Sequence, residues 1–118
     1  MQNFQELVVW QKAHELTLAI YQVSRQFPRE EVYGLTLQIR RSSASISTNI
    51  AEGSGRNGGL DFIRFLQIAS GSTSEVEYQL ILARDLGYLA STDYECLNAQ
   101  IVQIRKMLAG LIKSIKSS

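Results

Sequence analysis

Cysteine, histidine, proline and tryptophan each occur once in these 118 residues. A lone Cys96 cannot close an internal disulfide, which excludes a disulfide scaffold and suits a reducing compartment. One histidine, His14, excludes the paired Glu-x-x-His ligand sets of a carboxylate-bridged metal bundle, and none lies near Cys96 in sequence to make a thiol–imidazole pair. Ser42, Ser43, Ser45 and Ser47 have no base assigned to them and read as groove-packing hydroxyls that bond back to the preceding turn. These absences predict no metal, no cofactor and no enzymatic activity. No apolar run approaches the ~20 residues of a membrane span, and Met1 to Glu6 lacks the basic start of a leader, so a cytoplasmic protein with no membrane association is expected. A formal charge of +1 gives no composition-level case for a nucleic-acid-coating tail.

What is present is helical period. Pro28, the cluster from Gly53 to Gly59, and Gly87 cut the chain into four segments. In the last, Tyr94, Leu97, Ile101, Ile104, Leu108, Leu111 and Ile115 step by three and four, which keeps one stripe on one side of a helix. Val9, Ala13, Leu16, Ile20, Val23 and Phe27 repeat the pattern in the first segment, and Phe62, Leu66, Ala69, Thr73, Val76, Leu80 and Ala83 in the third. The second stripe is more polar, with Leu35, Ile39, Ser42, Ile46, Asn49 or Ile50, and Gly53. Asn3 with Glu6, and Thr92 with Glu95, have capping-box spacing. The expectation is an all-α, antiparallel, up-and-down four-helix bundle, one domain over 1–118, with helices near 4–27, 32–53, 59–86 and 92–116.

Two segments carry more apolar surface than one seam uses. Trp10, His14 and Tyr21 run beside the first stripe, and Leu60, Ile63, Phe65, Ile68 and Tyr78 lie off the third. A wide stripe can pack against both neighbours within one bundle, or the extra faces can support self-association, for which Trp10, His14, Tyr21 and Phe65 are the candidates. The small run Ala69 to Ser74 lets another helix approach closely.

Charge is unevenly placed. The last 23 residues hold Arg105, Lys106, Lys113 and Lys116 and no acid, whereas the first 95 hold eight basic and eleven acidic residues. At about 100° per residue the four basic side chains fall within roughly 100° of arc, away from the apolar seam. Such a stripe is either a solvated face or a nucleic-acid contact. Arg40 and Arg41 point off the seam of the second helix, with Glu75 and Glu77 as ion-pair candidates for at least one of them. Asn49 and Glu52, with Arg56 one turn on, suit a structural polar network. Gly53-Ser54-Gly55-Arg56-Asn57-Gly58 has the glycine spacing of a dinucleotide loop but follows a helix, so that reading fails its context; an anion at the start of the third helix stays open.

Tyr33-Gly34-Leu35-Thr36, Gln38-Ile39-Arg40-Arg41-Ser42, Ser45-Ile46, Asn49-Ile50-Ala51-Glu52-Gly53 and Arg56 resemble the four-helix bundle family first noted in intervening sequences of 23S ribosomal RNA genes. Leu7 to Ala13, Phe27-Pro28, Phe62 to Leu66, Ile68 to Ser72 and Leu86 to Leu89 extend the resemblance over about residues 4 to 90. The family's pattern has alanine where this chain has Ser42 in Ser42-Ser43-Ala44. The resemblance implies a bacterial bundle that assembles as a ring-like homopentamer, related in fold to the accessory variability protein of diversity-generating retroelements. That relative binds nucleic acid and a reverse transcriptase, which makes a reverse transcriptase an expected partner where the gene neighbourhood encodes one. The expected function is a non-enzymatic oligomeric scaffold that contacts RNA through Arg105, Lys106, Lys113 and Lys116, then Arg40, Arg41, Arg56 and Arg64; the alternative is a protein-interaction adaptor with no nucleic-acid role.

Overall fold

A computed structural model describes residues 3–118 as four α-helices with no strand among them. The helices are α1 (Val8–Ser24), α2 (Leu35–Ser54), α3 (Gly59–Asp85) and α4 (Ser91–Lys116), in a body of 46 × 23 × 20 Å. Each packs against its neighbours in sequence and α1 closes on α4, while α1 and α3 stand on opposite corners of the bundle. Cross-helix contacts fix the directions. Thr17 of α1 bonds to the Ser43 carbonyl and Arg40 reaches Tyr21, so α2 runs against α1. Ser45 meets Ser72 and Gly53 lies under Phe62 and Phe65, so α3 runs against α2; Glu77 meets Arg105 and Gly59 meets Ile115 in the α3–α4 pair.

The core follows the apolar period. Leu16 and Ile20, Ile39, Ile46 and Ile50, Leu66, Val76 and Leu80, and Ile101, Ile104 and Leu108 are fully enclosed, one set from each helix. Burying one such side chain contributes about 1.5–3 kcal/mol, so these stripes dominate the stability of the bundle.

The helix ends differ from the sequence expectation in instructive ways. Phe4–Glu6 form a separate 3-10 turn, which Asn3 caps by accepting the Gln5 N–H at 3.0 Å, and Leu7 is extended, so α1 starts at Val8 rather than near residue 4. Pro28 is followed by a second 3-10 turn, Arg29–Glu31, and α2 starts at Leu35 rather than near 32. The Thr92 and Glu95 capping box is absent: extended Ala90 precedes α4, which places Ser91 and Thr92 inside its first turn. Gly87 behaves as its position suggested. With φ 79° it ends α3, its N–H reaching Arg84 and the Tyr88 N–H reaching Ala83 in the paired bonds of a Schellman motif.

Glu31 ties the far end together. One carboxylate oxygen accepts the Leu35 N–H at 3.1 Å at the start of α2, and the other accepts the Tyr88 hydroxyl at 3.0 Å. The hydrogen bond to Glu31 is the main reason the Tyr88 phenol is raised above its ordinary 10.0, with desolvation and the charges of Glu31 and Glu30 adding to it.

Candidate nucleic-acid interface

Because Leu97, Ile101, Ile104 and Leu108 turn inward, the helical period carries Lys106 and Lys113 to the outer side of α4, with Lys116 near its last turn. All three lysines are exposed, and none lies within ion-pair distance of a carboxylate among the described residues. Arg105 corrects the expected stripe of four. One position before Lys106, it is rotated about 100° toward α3 and forms a half-buried ion pair with Glu77. It is an interhelical strut, and the outward stripe is three lysines.

Arg40 is also held within the fold. Its Nε donates to Ser24 Oγ at 2.8 Å, its terminal nitrogen donates to the Tyr21 carbonyl at 3.2 Å, and its guanidinium lies 4.7 Å from the Tyr21 ring centre. These donors serve the C-terminal turn of α1, where carbonyls lack helical partners. Neither Glu75 nor Glu77 takes Arg40 or Arg41; Glu77 belongs to Arg105, and Arg41 is exposed with no carboxylate within 4.0 Å among the described residues.

Arg56 and Arg64 flank one ring. They stand 4.8 and 4.5 Å from the Phe65 centroid, and both approach Asp61, at 3.9 and 3.1 Å. Arg56 pairs further with Glu52 at 3.0 Å. Phe65 is therefore 9% exposed beneath two guanidinium groups, which removes it from the open association surface. The expected Asn49 and Glu52 network also separates into two parts. Asn49 donates to the Ser45 carbonyl and hydroxyl at 2.8 and 3.0 Å, and Ser72 donates to that same hydroxyl at 2.9 Å, which links α2 to α3. Glu52 faces solvent and Arg56.

The α2–α3 turn and the end of α4 share one end of the bundle. A Cβ added to Gly59 would lie 2.9 Å from Ile115, and a shallow hollow between them is lined by Arg56, Gly58, Gly59 and Ser114, with Lys116 beside it. Gly58, at φ 99°, caps α3 without a side-chain hydrogen bond, so the first backbone N–H groups of α3 face this hollow end unpaired by a cap. Arg56 at this end is already paired with Glu52 and near Asp61, and the unpaired basic side chains of α4 are the three lysines.

Of the candidates on α1, His14 and Tyr21 are exposed, while Trp10 is half-buried against the core. Phe4 meets Trp10 edge-on at 5.0 Å, and the His14 ring stacks on Trp10 at 5.1 Å with 11° between planes. No cluster of three metal-ligating side chains occurs among the described residues. No helix among them is long and apolar enough to cross a membrane. Sequence reasoning missed the Glu31 clamp, the Ser45–Ser72 link and the Arg105–Glu77 strut. Only the first had a local signal, an acid just ahead of a helix start.

Residues 5–110 match the family of 23S rRNA-intervening sequence proteins. The fold is similar to a solved protein of unknown function from the S23 ribosomal protein family of Bacteroides thetaiotaomicron, with 32% identity, a TM-score of 0.83, and coverage of 90% of this chain and 99% of that one. A comparison with curated proteins finds no match.

Proposed function

The chain belongs to the 23S rRNA-intervening sequence protein family, and from that membership we propose that it is a non-enzymatic cytoplasmic scaffold, a ring-like homopentamer that contacts RNA through the lysines of α4. The observation that carries the reading is the placement of Lys106, Lys113 and Lys116, exposed on one helix and unpaired, while Arg40, Arg56, Arg64 and Arg105 are engaged within the fold. A monomer of formal charge +1 offers only a short positive strip. Repetition around a ring joins such strips into a continuous field strong enough to hold a polyanion. A reverse transcriptase is a further partner wherever the gene neighbourhood encodes one.

The test is a titration of the full chain with a structured RNA at 50 and 200 mM salt. Binding should weaken steeply with salt, with a slope of about 0.7–0.9 per phosphate contacted, and the Lys106→Glu, Lys113→Glu, Lys116→Glu triple variant should lose it. Salt-insensitive binding, or equal binding by the triple variant, contradicts the RNA reading. Tyr33 and Leu60, each 88% exposed, favour the second reading of a protein-interaction adaptor. Capture of one defined protein partner by a triple variant that has lost RNA would establish it.

A further inference from the structure

The hollow at the α1–α2 turn collects basic groups that the lysine strip does not use. It holds about 270 Å³, and its polar lining is Ser24, Arg25, Arg29, Thr36 and Arg40, with no carboxylate. Local structure brings these side chains together. Arg25 closes α1, buried Phe27 anchors the chain behind it, and extended Pro28, with φ −55° and ψ 144°, leads into the 3-10 turn that carries Arg29. Returning against α1, α2 sets Thr36 in its first turn and Arg40 one turn later on the same side.

The charge of this hollow is uncompensated. None of the three arginines has a carboxylate within 4.0 Å among the described residues. Glu30 and Glu31 belong to the same turn but do not line the hollow, and the Glu31 oxygens are taken by the Leu35 N–H and the Tyr88 hydroxyl. Arg40 is half-buried, and the groups that hold it, the Ser24 hydroxyl and the Tyr21 carbonyl, are neutral. Those bonds use two of the five donors of a guanidinium. The negative end of the α1 dipole explains Arg40, which bonds a carbonyl there, but the side chains of Arg25 and Arg29 bond none among the described residues.

Thr36 is a separate indication of a ligand. Buried Ser43, Ser54 and Thr73 bond back to carbonyls of the preceding turn, the common use of such hydroxyls. Thr36 is 6% exposed, yet its hydroxyl has no partner among the described residues. It is not sealed in either, as Ser47 Oγ and Gln79 Oε1 are, so the hollow that Thr36 lines is its outlet. The backbone N–H groups of Thr36 and Leu37 also reach no carbonyl, since the Gln38 N–H is the first in α2 to do so, at Gly34.

The geometry points to a binding site for a terminal phosphate group, a phosphate monoester gripped by Arg25, Arg29 and Arg40 and by the Thr36 hydroxyl. Three guanidinium groups match the nearly double charge of a monoester better than the single charge of a diester inside a strand, and their forked donors suit phosphate oxygens. The volume is a little below the roughly 300–1,000 Å³ of pockets for drug-sized ligands, which fits the phosphate and a small group attached to it. Phe27 and Val32 give that group an apolar side to rest on. The carrier is a small molecule or the end of an RNA strand. Lying at the end of the 46 Å body opposite Lys116, the site is separate from the α4 strip and does not depend on the RNA reading above.

Calorimetric titration of the full chain with uridine 5′-monophosphate, with uridine, and with a short RNA bearing or lacking a 5′-phosphate tests the site. A phosphorylated probe should bind about tenfold or more tighter than its unphosphorylated counterpart. The RNA arm uses a Lys106→Gln, Lys113→Gln, Lys116→Gln variant, which lacks the α4 strip; tighter binding of phosphorylated RNA than of the mononucleotide assigns the strand end, and the reverse assigns the small molecule. With whichever phosphorylated probe binds, Arg25→Gln with Arg29→Gln should lose about tenfold or more, and both side chains are exposed, so the fold should keep its melting temperature. Thr36→Val should weaken binding about tenfold, and Thr36→Ser, which keeps the hydroxyl, should bind nearly as the wild type. If Thr36→Val melts early, the arginine pair decides. Failure of both phosphorylated probes to bind at millimolar concentration, undiminished binding by the arginine pair, or loss of mononucleotide binding in the lysine variant overturns the site.

Discussion

Replacing Gly53 by alanine should destabilise the subunit although it adds a better helix former to a helix. Gly53 lies in the last turn of α2, where α3 crosses closest. An added Cβ would sit 2.7 Å from Phe65 Cβ, 2.9 Å from a Phe62 ring carbon and 3.3 Å from the Phe62 carbonyl oxygen. The Phe65 contact is decisive, because a Cβ is fixed to the backbone and no rotamer change moves it, so α2 and α3 must separate. Overpacking of this kind costs about 1–3 kcal/mol. The propensity gained on leaving glycine offsets at most about 1 kcal/mol. With the full offset the balance is a net loss of up to about 2 kcal/mol, or a fall of up to roughly 10 °C in Tm for a domain near this size. Gly110→Ala is the matched control: Gly110 is exposed inside α4 with nothing within 4 Å of an added Cβ, so it should gain about 0.5–1 kcal/mol. Thermal melts followed by circular dichroism at 222 nm, at one protein concentration, give both signs. A Gly53→Ala variant as stable as wild type would refute the close-approach argument, and with it the structural reason for the glycine that ends the Asn49-Ile50-Ala51-Glu52-Gly53 run.

Removing the shared hydroxyl with Ser45→Ala should cost about 1 kcal/mol by chemical denaturation, since Ser72 and Asn49 both bond to it; no change would mean the α2–α3 link is not stabilising. Glu77→Gln should cost at most a few tenths of a kcal/mol, because Arg105 and Glu77 are 39% and 25% exposed in their side chains and solvent screens the pair; a loss above about 2 kcal/mol would mean the pair behaves as a buried one. Titrated by its ultraviolet absorbance, Tyr88 should ionise above 10.0, and Glu31→Gln should bring it down. The bond to Glu31 favours the neutral phenol in the folded chain. Its stabilisation is therefore fully present below the ordinary value of 10.0 and is lost as pH rises through the raised folded value, so a difference between wild type and Glu31→Gln that persists unchanged above that range would contradict it.

The buried stripes were legible because burial is what sets a three-and-four period. All seven residues of the α3 stripe except half-buried Phe62 are enclosed, and so are Leu97, Ile101, Ile104 and Leu108. The ends were less legible, since a cap depends on where the chain turns: Asn3 has the right side chain but caps a short 3-10 turn, and Leu7 breaks the path into α1. The basic surface was half legible. Period placed Lys106 and Lys113 outside, yet it could not say that the neighbouring arginine would meet Glu77, because that contact joins residues 28 apart whose approach is fixed by packing. For the same reason Phe65 read as surplus apolar surface, whereas Arg56 and Arg64 cover it.

The native mass of the full chain at micromolar concentration tests the account most directly, because the continuous lysine field depends on assembly. Sedimentation or light scattering should give a single species of five times the 13.2 kDa chain, unchanged on moderate dilution. A stable 13.2 kDa monomer would contradict it.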